Sequence, residues 1–357
     1  MSVAILGPAI DHQQSLVEML SGRVGCLTVL PDSHSHVYSR GAGWASRFQR
    51  SIDQLWHTRN ADYLAHVCAK LDEARTDTLV AYWGTNPLSD VLAVRKLRPS
   101  IKLVLMVLCH PLTLNNLGLI RQQWMMRRAA RQLDGFLFPC AEMAQFFEQT
   151  VLSQGRPPWT ILPPCWPRSF IAKQRCPPLS DKPNVIFIGR TDLSHHTAHA
   201  ADDIRGLMRE LLDVGIDLHH VRSGETDDGH PRRKPFQPLA QADLIATMGQ
   251  HDASLIVYNT QACARDERFR LTVPDRLITS VSAGLPIAIP AQGYEGAKSY
   301  LSDYPAVLTF DSPQDLKQQL SDRARVRDLK EAAWSARGLY AADRHGERLH
   351  RFLAGLP

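Results

Sequence analysis

The residues whose types and spacing could do chemistry are concentrated in one stretch, 271–290, which reads LTVPDRLITSVSAGLPIAIP. Pro274 suits the first position of a helix, because the N–H that proline lacks would be unpaired there in any case. The start of a helix offers unpaired backbone N–H groups and the positive end of its dipole to an anion. Arg276 adds a cation in the same turn, where the dipole alone disfavours one. The stretch therefore predicts a site for an anionic ligand, and the alternative is an ordinary helix and strand of a layered domain.

The elements that position this site follow from the neighbouring residues. Leu277, Ile278 and Val281 recur at three- and four-residue spacing, which predicts a helix with one apolar face. Gly284 predicts that the helix ends in a left-handed conformation. Residues 287–289, Ile-Ala-Ile, predict a short strand that is buried on both faces.

Two further strand ends carry candidate residues. Residues 184–188 predict a strand, after which Gly189 lets the backbone approach a ligand closely and Arg190 supplies a cation. Residues 101–109 predict a fully buried strand that is followed by His110. Because ligands of α/β sheets bind beyond the carboxyl ends of the strands, these residues are candidate binding groups. For His110 the alternative is a histidine with only a structural role at the end of its strand.

Length and composition limit the class of protein. The 357 residues exceed a usual single domain, so two domains are expected. A hydrophobic fraction of 44% and a net charge of +5 are typical of a globular protein with anionic ligands, not of a nucleic-acid-binding tail. Seven scattered cysteines without a CxxC pair predict reduced thiols in a cytoplasmic protein. The first apolar run of the chain is too short for a signal peptide, because polar residues follow it from Asp11 onwards. No apolar run is long enough to span a bilayer, so we expect a soluble protein.

The alternation of predicted strands and helices indicates the fold class and the domains. It predicts an α/β protein with two doubly wound domains, the first of which spans residues 1–167. Residues 168–183 are rich in proline and charge, which is typical of an interdomain linker. A second α/β domain is predicted over residues 184–325, and residues 326–357 are predicted to form a terminal helix.

The pattern Pro-x-Arg-Leu-x-x-x-x-x-Ala-Gly-Leu-Pro of residues 274–286 resembles the donor-site segment of GT-B glycosyltransferases, especially the retaining family-four (glycosyltransferase group 1) enzymes. The Gly-Arg step at residues 189–190 and the order of the predicted elements are also similar to these enzymes. The resemblance implies two Rossmann-like domains that face a central cleft, with the terminal helix folding back towards the first domain. It also implies that the first domain binds the acceptor and the second domain binds the nucleotide-sugar donor.

The activity implied by this resemblance is transfer of a sugar from a nucleotide-diphosphate donor, such as a UDP- or GDP-sugar, as in polysaccharide biosynthesis. The acceptor would be a glycan, a lipid-linked molecule or a small molecule. The reaction would retain the anomeric configuration, and it would need no metal and no cofactor besides the nucleotide-sugar co-substrate. His110 and Asp11 would be the catalytic residues, facing the reactive side of the sugar. The implied donor-binding residues are Gly189, Arg190, His196, Thr272, Val273, Pro274, Arg276 and Thr279.

Three positions depart from the pattern of the family. The glutamate that holds the ribose corresponds to Thr279, a second carboxylate corresponds to Leu271, and the lysine that contacts the diphosphate falls near His196. Sugar contacts would then come from the backbone N–H groups of Thr272 and Val273. These losses keep two alternatives open: a non-catalytic GT-B scaffold or partner subunit, and a sugar-nucleotide epimerase of the same architecture.

One predicted helix bears on other partners. Residues 119–133 predict a basic helix that exposes Trp124, Met125 and Met126 in part. Such a helix could lie on an anionic membrane, but a solvated face opposite a core face is the commoner arrangement. We therefore expect at most weak peripheral membrane contact. No basic helix has the context of a nucleic-acid recognition motif, so no nucleic-acid partner is expected.

Overall fold

The computed structural model describes residues 1–8, 10–31, 61–82, 88–111, 116–152, 157–189, 200–222, 229–262 and 266–357. The chain divides into two compact units. Unit 1 comprises Met1–Pro167 and Ala342–Pro357, and unit 2 comprises Arg168–Ala341. The first change of unit therefore falls at the start of the predicted linker, and the second falls inside the predicted terminal helix.

Unit 1 is built on a six-stranded parallel sheet with the order β2-β1-β3-β4-β5-β6. Its strands are β1 (Ser2–Gly7), β2 (Cys26–Pro31), β3 (Thr78–Tyr82), β4 (Lys102–Met106), β5 (Gly135–Phe138) and β6 (Trp159–Ile161). Every residue of β3 and β5 is buried, as expected for strands that are covered on both faces. Since β1 pairs with both β2 and β3, the sheet extends in both directions from its first strand. This is the predicted doubly wound arrangement.

Helices alternate with these strands along the chain. The helices described between β1 and β6 are α1 (Asp11–Leu20), α2 (Ala61–Glu73), α3 (Leu88–Leu97), α4 (Asn116–Ala130) and α5 (Ala141–Thr150). Helix α1 shows the principle by which they pack: it buries Leu16, Met19 and Leu20, which recur on one side of the helix.

Helix α4 differs in its bounds and in its burial from the helix predicted over residues 119–133. It begins and ends three residues earlier, at Asn116 and Ala130, and it buries Met125 and Met126, which are 7% and 0% exposed. Trp124 is 49% exposed, as expected from the sequence. The expected exposure of the two methionines is wrong because both lie on the side of the helix that carries Ala129 and Ala130, which are also buried.

Unit 2 is built on a second six-stranded parallel sheet with the order β12-β11-β10-β7-β8-β9. Its strands are β7 (Asn184–Phe187), β8 (Asp217–Val221), β9 (Arg233–Phe236), β10 (Ala253–Leu255), β11 (Ile287–Pro290) and β12 (Val307–Phe310). The first strand of this unit, β7, again lies in the interior of the sheet, between β8 and β10. Val185 and Phe187 of β7 form a buried core with Leu255 of β10.

The helices described in unit 2 are α6 (Arg205–Asp213), α7 (Gln241–Met248), α8 (Glu267–Leu271), α9 (Asp275–Ser282), α10 (Glu295–Tyr300), α11 (Pro313–Ser321) and α12 (Arg323–Ala336). Short 3-10 helices lie at Arg168–Phe170, Ala200–Asp202, Thr260–Ala262 and Ala342–Arg344, the last of which belongs to unit 1. In the part of the chain that the structure describes, no helix combines the length and the apolar character that crossing a membrane requires.

The predicted terminal helix is two helices. Helix α12 ends at Ala336, and α13 (Gly346–Ala354) forms within unit 1. The guanidinium of Arg337 donates to the carbonyl oxygen of Trp334 at 2.6 Å, which satisfies one of the unpaired carbonyls at the end of α12. Helix α13 packs against α1 and buries Leu349 and Leu353 completely or almost so.

A buried polar network joins the amino ends of β7 and β10. The Asp252 carboxylate, 1% exposed, accepts hydrogen bonds from the backbone N–H and the side-chain amide of Asn184, both at 3.1 Å. It also accepts from both terminal nitrogens of Arg323, at 2.7 and 2.9 Å. Because Arg323 is the first residue of α12, this carboxylate ties that helix to the two central strands of the sheet.

Candidate functional site

The strand order of unit 2 reverses direction between β7 and β10, which makes this pair the switch point of the sheet. From β7 the chain adds β8 and β9 on one side of the sheet, and then β10, β11 and β12 on the other. In open α/β sheets, ligands bind at such a switch point, beyond the carboxyl ends of the strands. Gly189 lies two residues beyond β7, and α9 begins at this same edge on its way to β11. The two sharpest sequence signals of this half of the chain thus converge on one place.

Arg276 is in direct contact with Gly189. A Cβ atom built on Gly189 would overlap both the ring of Phe187 and Nη1 of Arg276, so only a residue without a side chain leaves room for these two groups. Nη2 of Arg276 donates to the carbonyl oxygen of Val257 at 2.6 Å. The guanidinium carbon lies 3.9 Å from the ring centroid of Tyr258 and 5.1 Å from that of Phe187. Cation–π attraction to both rings therefore holds the cation at the edge of the sheet.

No residue that the structure describes supplies a counter-ion for Arg276. Nε is buried without a hydrogen-bond partner, and no carboxylate of the described residues pairs with the guanidinium. Arg276 is the second residue of α9, where the helix dipole adds further positive potential. A half-buried cation in this position is unfavourable unless an anion completes it. We call Gly189, Arg276 and the first turn of α9 the anion corner.

Tyrosines support the anion corner, and the sequence pattern did not single them out. The Tyr294 hydroxyl accepts from the N–H of Tyr258 at 2.7 Å and donates to its carbonyl oxygen at 3.2 Å. Burial raises the pKa of Tyr294 to about 12, so the hydroxyl remains a neutral donor and acceptor. Tyr294 has the left-handed φ of 62° that residues other than glycine adopt rarely. The available signal was an aromatic residue close to the end of a buried strand, at Tyr258, which lies three residues beyond β10.

The helix of the anion corner forms as its sequence indicates, with one correction. Pro274 caps α9 from outside the helix, with ψ at 145°, so the first helical residue is Asp275 and not Pro274 as predicted. Leu277, Ile278 and Val281 are fully buried, and Gly284 has a φ of 69°, which confirms the predicted apolar face and left-handed end. The shift at the start follows from the extended ψ of proline, which places it before the first turn.

Two predicted donor contacts on this segment already have protein partners. The Thr279 hydroxyl, in a residue that is 2% exposed, accepts from the side-chain amide of Gln241 at 2.6 Å and donates to the carbonyl oxygen of Asp275 at 3.0 Å. The N–H of Thr272 donates to the carbonyl oxygen of Arg268 at 3.0 Å, at the end of α8. A ligand contact by either group would have to replace these bonds.

The remaining predicted residues of this segment are buried or lie outside the described residues. Val273 is 4% exposed and Leu271, where the family has a carboxylate, is 7% exposed. Arg190 and His196 lie outside the residues that the structure describes, and their proposed contacts to the donor diphosphate stay predictions.

The predicted catalytic residues share the carboxyl edge of the sheet of unit 1. Asp11 is the first residue of α1 and follows β1, which is at the switch point of this sheet. His110 follows β4, and β3 lies between β1 and β4. Two strand spacings separate the two strand ends, which corresponds to about 10 Å.

His110 is a buried and uncharged imidazole. It is 0% exposed, and its ring meets the ring of Phe147 edge-on at a centroid distance of 4.9 Å. Burial lowers the pKa of His110 to about 4, so the ring is neutral at pH 7. Neither ring nitrogen has a hydrogen-bond partner in the described parts of the chain. Buried polar atoms without partners are rare, so the two nitrogens of His110 stand out among the buried groups at this edge.

Metal ligation has no candidate in the described ranges. No group of three or more histidine, cysteine, aspartate or glutamate side chains there is close enough to hold an ion.

Comparison with solved structures shows which known fold this chain has. No protein-family model matches the chain, and no curated protein matches it by sequence. Solved structures match over the whole length. Sucrose-phosphate synthase from Thermosynechococcus elongatus has a TM-score of 0.65 at 11% identity, with 99% of this chain and 98% of that chain covered. The fold is GT-B.

Two further GT-B structures agree with this assignment. The UDP-forming α,α-trehalose-phosphate synthase from Burkholderia xenovorans, in complex with glucose-6-phosphate, has a TM-score of 0.65 at 11% identity over 99% of this chain and 100% of that chain. The Anabaena protein HepE, in complex with UDP, has a TM-score of 0.61 at 11% identity over 100% of both chains. The GT-B fold predicted from residues 274–286 and the order of elements is thus confirmed.

Proposed function

We propose that this chain is a glycosyltransferase that takes a sugar from a nucleotide-diphosphate donor and holds the diphosphate at the anion corner. The observation that carries the proposal is the guanidinium of Arg276, which lies against two aromatic rings and pairs with no carboxylate of the described residues. A diphosphate supplies the missing negative charge in the geometry that a guanidinium recognises well. The GT-B fold supports this choice of anion, since one structure of similar fold contains UDP and another protein of similar fold is named as UDP-forming.

The same corner would promote the reaction. Departure of the nucleotide diphosphate from the sugar concentrates negative charge on the phosphate oxygens. Donors that are already oriented towards that charge stabilise the transition state without having to reorganise, and this is often the largest catalytic contribution. Arg276, fixed by Val257 and Tyr258, is such a donor. In this proposal neither a metal ion nor a further cofactor is needed, and the nucleotide-sugar acts as co-substrate.

His110 is proposed to contact the transferred sugar. A neutral imidazole with both nitrogens unpartnered can donate one hydrogen bond and accept another. Asp11, at the same edge, is proposed as its partner in binding the acceptor, which would be a glycan, a lipid-linked molecule or a small molecule. We further propose that the anomeric configuration is retained, as in the enzymes that residues 274–286 resemble.

The second candidate is a GT-B protein that binds a nucleotide without transferring sugar. Two observations favour it: the positions of the family carboxylates hold Leu271, which is buried, and Thr279, whose hydroxyl is engaged by Gln241. Both candidates predict nucleotide binding at Arg276, but only the transferase predicts that the chain releases UDP or GDP from a sugar nucleotide.

Calorimetric titration with UDP, GDP and AMP tests the binding site. We expect UDP or GDP to bind and AMP to bind weakly. Arg276→Ala should weaken binding by roughly 1.5–3 kcal/mol, the scale of a hydrogen bond to a charged group. Arg270→Ala is the matched control, because Arg270 lies on the neighbouring helix α8 and is half exposed in an ion pair with Glu295. Equal losses in both variants, or none in either, would show that the anion corner is not the donor site.

A second measurement separates the two candidates. Release of nucleoside diphosphate from UDP- and GDP-sugars is followed over time in the wild type and in His110→Ala. The transferase predicts slow release even without acceptor, reduced more than about tenfold in the variant while donor affinity is kept. Tight nucleotide binding without any release, with a range of acceptors present, would favour the non-catalytic candidate.

A further inference from the structure

The exposed face of α4 carries an unusual set of apolar side chains. Leu117 is 82% exposed, Ile120 63% and Trp124 49%, and these are the three most exposed large hydrophobic side chains among the described residues. At 3.6 residues per turn, the three positions fall within about 60° of one another on the helix surface. Single exposed apolar residues are common, but a contiguous stripe of three usually has a binding role.

The same stripe continues with arginines. Arg128 is exposed, and its guanidinium carbon lies 5.8 Å from the ring centroid of Trp124. Arg131 follows directly after the helix, also exposed and at a position on the same side. The fifteen residues of α4 contain no aspartate or glutamate. The stripe is therefore apolar over its first two turns and cationic over its last turn.

We propose that this stripe, Leu117, Ile120, Trp124, Arg128 and Arg131, docks on an anionic lipid surface. Charge complementarity selects this occupant, since the arginines match lipid phosphates while the apolar side chains enter the boundary between headgroups and acyl chains. Tryptophan suits that boundary because its ring is apolar and its N–H is polar. An apolar protein partner would leave the arginines without counter-charges. The inference is independent of the proposed function and goes beyond it.

The chemistry of the stripe sets the expected strength. Each arginine near an anionic surface contributes about a fivefold increase in partitioning, and the contribution falls as salt screens it. Each large aliphatic side chain that leaves water contributes about tenfold. Two aliphatic side chains, one indole and two cations give binding that is reversible and sensitive to salt.

Co-sedimentation of the full chain with vesicles tests the proposal. Vesicles of phosphatidylcholine with phosphatidylglycerol are compared with vesicles of phosphatidylcholine alone, at low and at high salt. We expect binding to the anionic vesicles that is released by salt. Leu117→Ser with Ile120→Ser should lower the partition coefficient more than about tenfold. Arg128→Gln with Arg131→Gln should lower it on anionic vesicles and remove most of its salt dependence.

Leu97→Ser is the control variant. Leu97 is 48% exposed at the end of α3 in the same unit and lies outside the stripe, so its replacement should leave partitioning unchanged. Failure of the wild type to sediment with anionic vesicles at low salt would overturn the proposal, as would an equal loss in the control. A dimer in solution without lipid that Ile120→Ser dissociates would also overturn it and assign the stripe to a second copy of the chain.

Discussion

An arginine lies at each end of the strand pair β7 and β10, and the two arginines have different kinds of partner. At the amino ends, Arg323 meets the buried carboxylate of Asp252 through two hydrogen bonds, and every charge is matched. At the carboxyl ends, Arg276 is held by aromatic rings and one carbonyl, and no carboxylate of the described residues pairs with it. The difference suggests two tasks on the same scaffold: the amino edge stabilises the fold, and the carboxyl edge holds the cation for which we propose an anionic ligand.

The largest effect, a loss of stability, is expected from removing the Asp252 carboxylate at the amino edge of the sheet. Asp252→Ala leaves the Arg323 guanidinium and the Asn184 amide without their shared acceptor. Removing one partner of a buried pair destabilises a protein by about 3–5 kcal/mol, so urea denaturation should show a loss of this size. Glu331→Ala is the control, since its pair with Arg175 is more than half exposed and its loss should have a much smaller effect on stability.

The same experiment sharpens the comparison between the two edges. UDP binding by the folded fraction of Asp252→Ala should equal that of the wild type, because the carboxylate lies at the opposite end of the strands from Arg276. If the variant binds UDP more weakly while folded, the two edges are not independent.

The carboxyl edge of the sheet in unit 1 adds a third case, the imidazole of His110, which burial keeps uncharged. The folded-state pKa of His110 is about 4 and an unfolded histidine titrates at about 6.5, so the unfolded chain binds more protons between these values. Stability from this group is full above about pH 6.5 and is lost as the pH falls to about 4, by on the order of 3 kcal/mol. His110→Leu should reduce this slope in denaturation measured from pH 4 to 7.

Part of the slope should survive in that variant, because burial also lowers the pKa values of His251 and His345 to about 4. At pH 7 the variant should be as stable as the wild type, since leucine leaves no buried nitrogen without a partner. An unchanged slope between pH 4 and 7 would mean that His110 is not protected from protonation.

An intermediate effect is expected from filling the space that Gly189 leaves open. In Gly189→Ala the new methyl group would overlap both Nη1 of Arg276 and the ring of Phe187, so the guanidinium, the ring or both must shift. Donor binding measured by calorimetry should weaken by roughly 1.5–3 kcal/mol, and stability should fall as well, because the Phe187 ring is packed in the core. Gly206→Ala is the control, because nothing lies within 4 Å of the Cβ position there. Wild-type affinity in Gly189→Ala would contradict this role of the close approach.

The smallest effect is expected from Arg276→Lys, which keeps the positive charge but loses the planar guanidinium. Arg276→Lys retains a cation at the start of α9, but an ammonium cannot both donate to Val257 and present a planar fork to a diphosphate. UDP affinity should fall by about 1 kcal/mol, the net contribution of one hydrogen bond. A loss in Arg276→Lys as large as in Arg276→Ala would show that geometry, not charge, defines the corner.

Features that depend on local periodicity could be predicted from the sequence. The buried strands, the apolar face of α9 and the left-handed Gly284 follow from residue types and spacing, and the GT-B fold followed from the motif and the order of elements. The convergence of Gly189 and Arg276 was predictable as well, because both lie at carboxyl ends of parallel strands.

Features that depend on distant side chains could not be predicted. Asp252 and Arg323 are separated by 71 positions, and nothing in either segment indicates the other as its partner. The same holds for Gln241 of α7, whose side-chain amide donates a hydrogen bond to the hydroxyl of Thr279 in α9. The break between α12 and α13 also depends on tertiary structure, because the two helices pack in different units although the sequence between them is compatible with a helix.

The assignment of α13 to unit 1 has a consequence for the order in which the chain folds during synthesis. Unit 2 is one continuous segment, so all of its residues are available as soon as Ala341 has left the ribosome. Unit 1 needs Leu349 and Leu353 to cover α1, and Lys102 finds its acceptor only at the Leu356 carbonyl. Although domains generally fold in the order of synthesis, here the unit made first should be the one that finishes last, and until then the apolar side chains of α1 that α13 covers remain exposed.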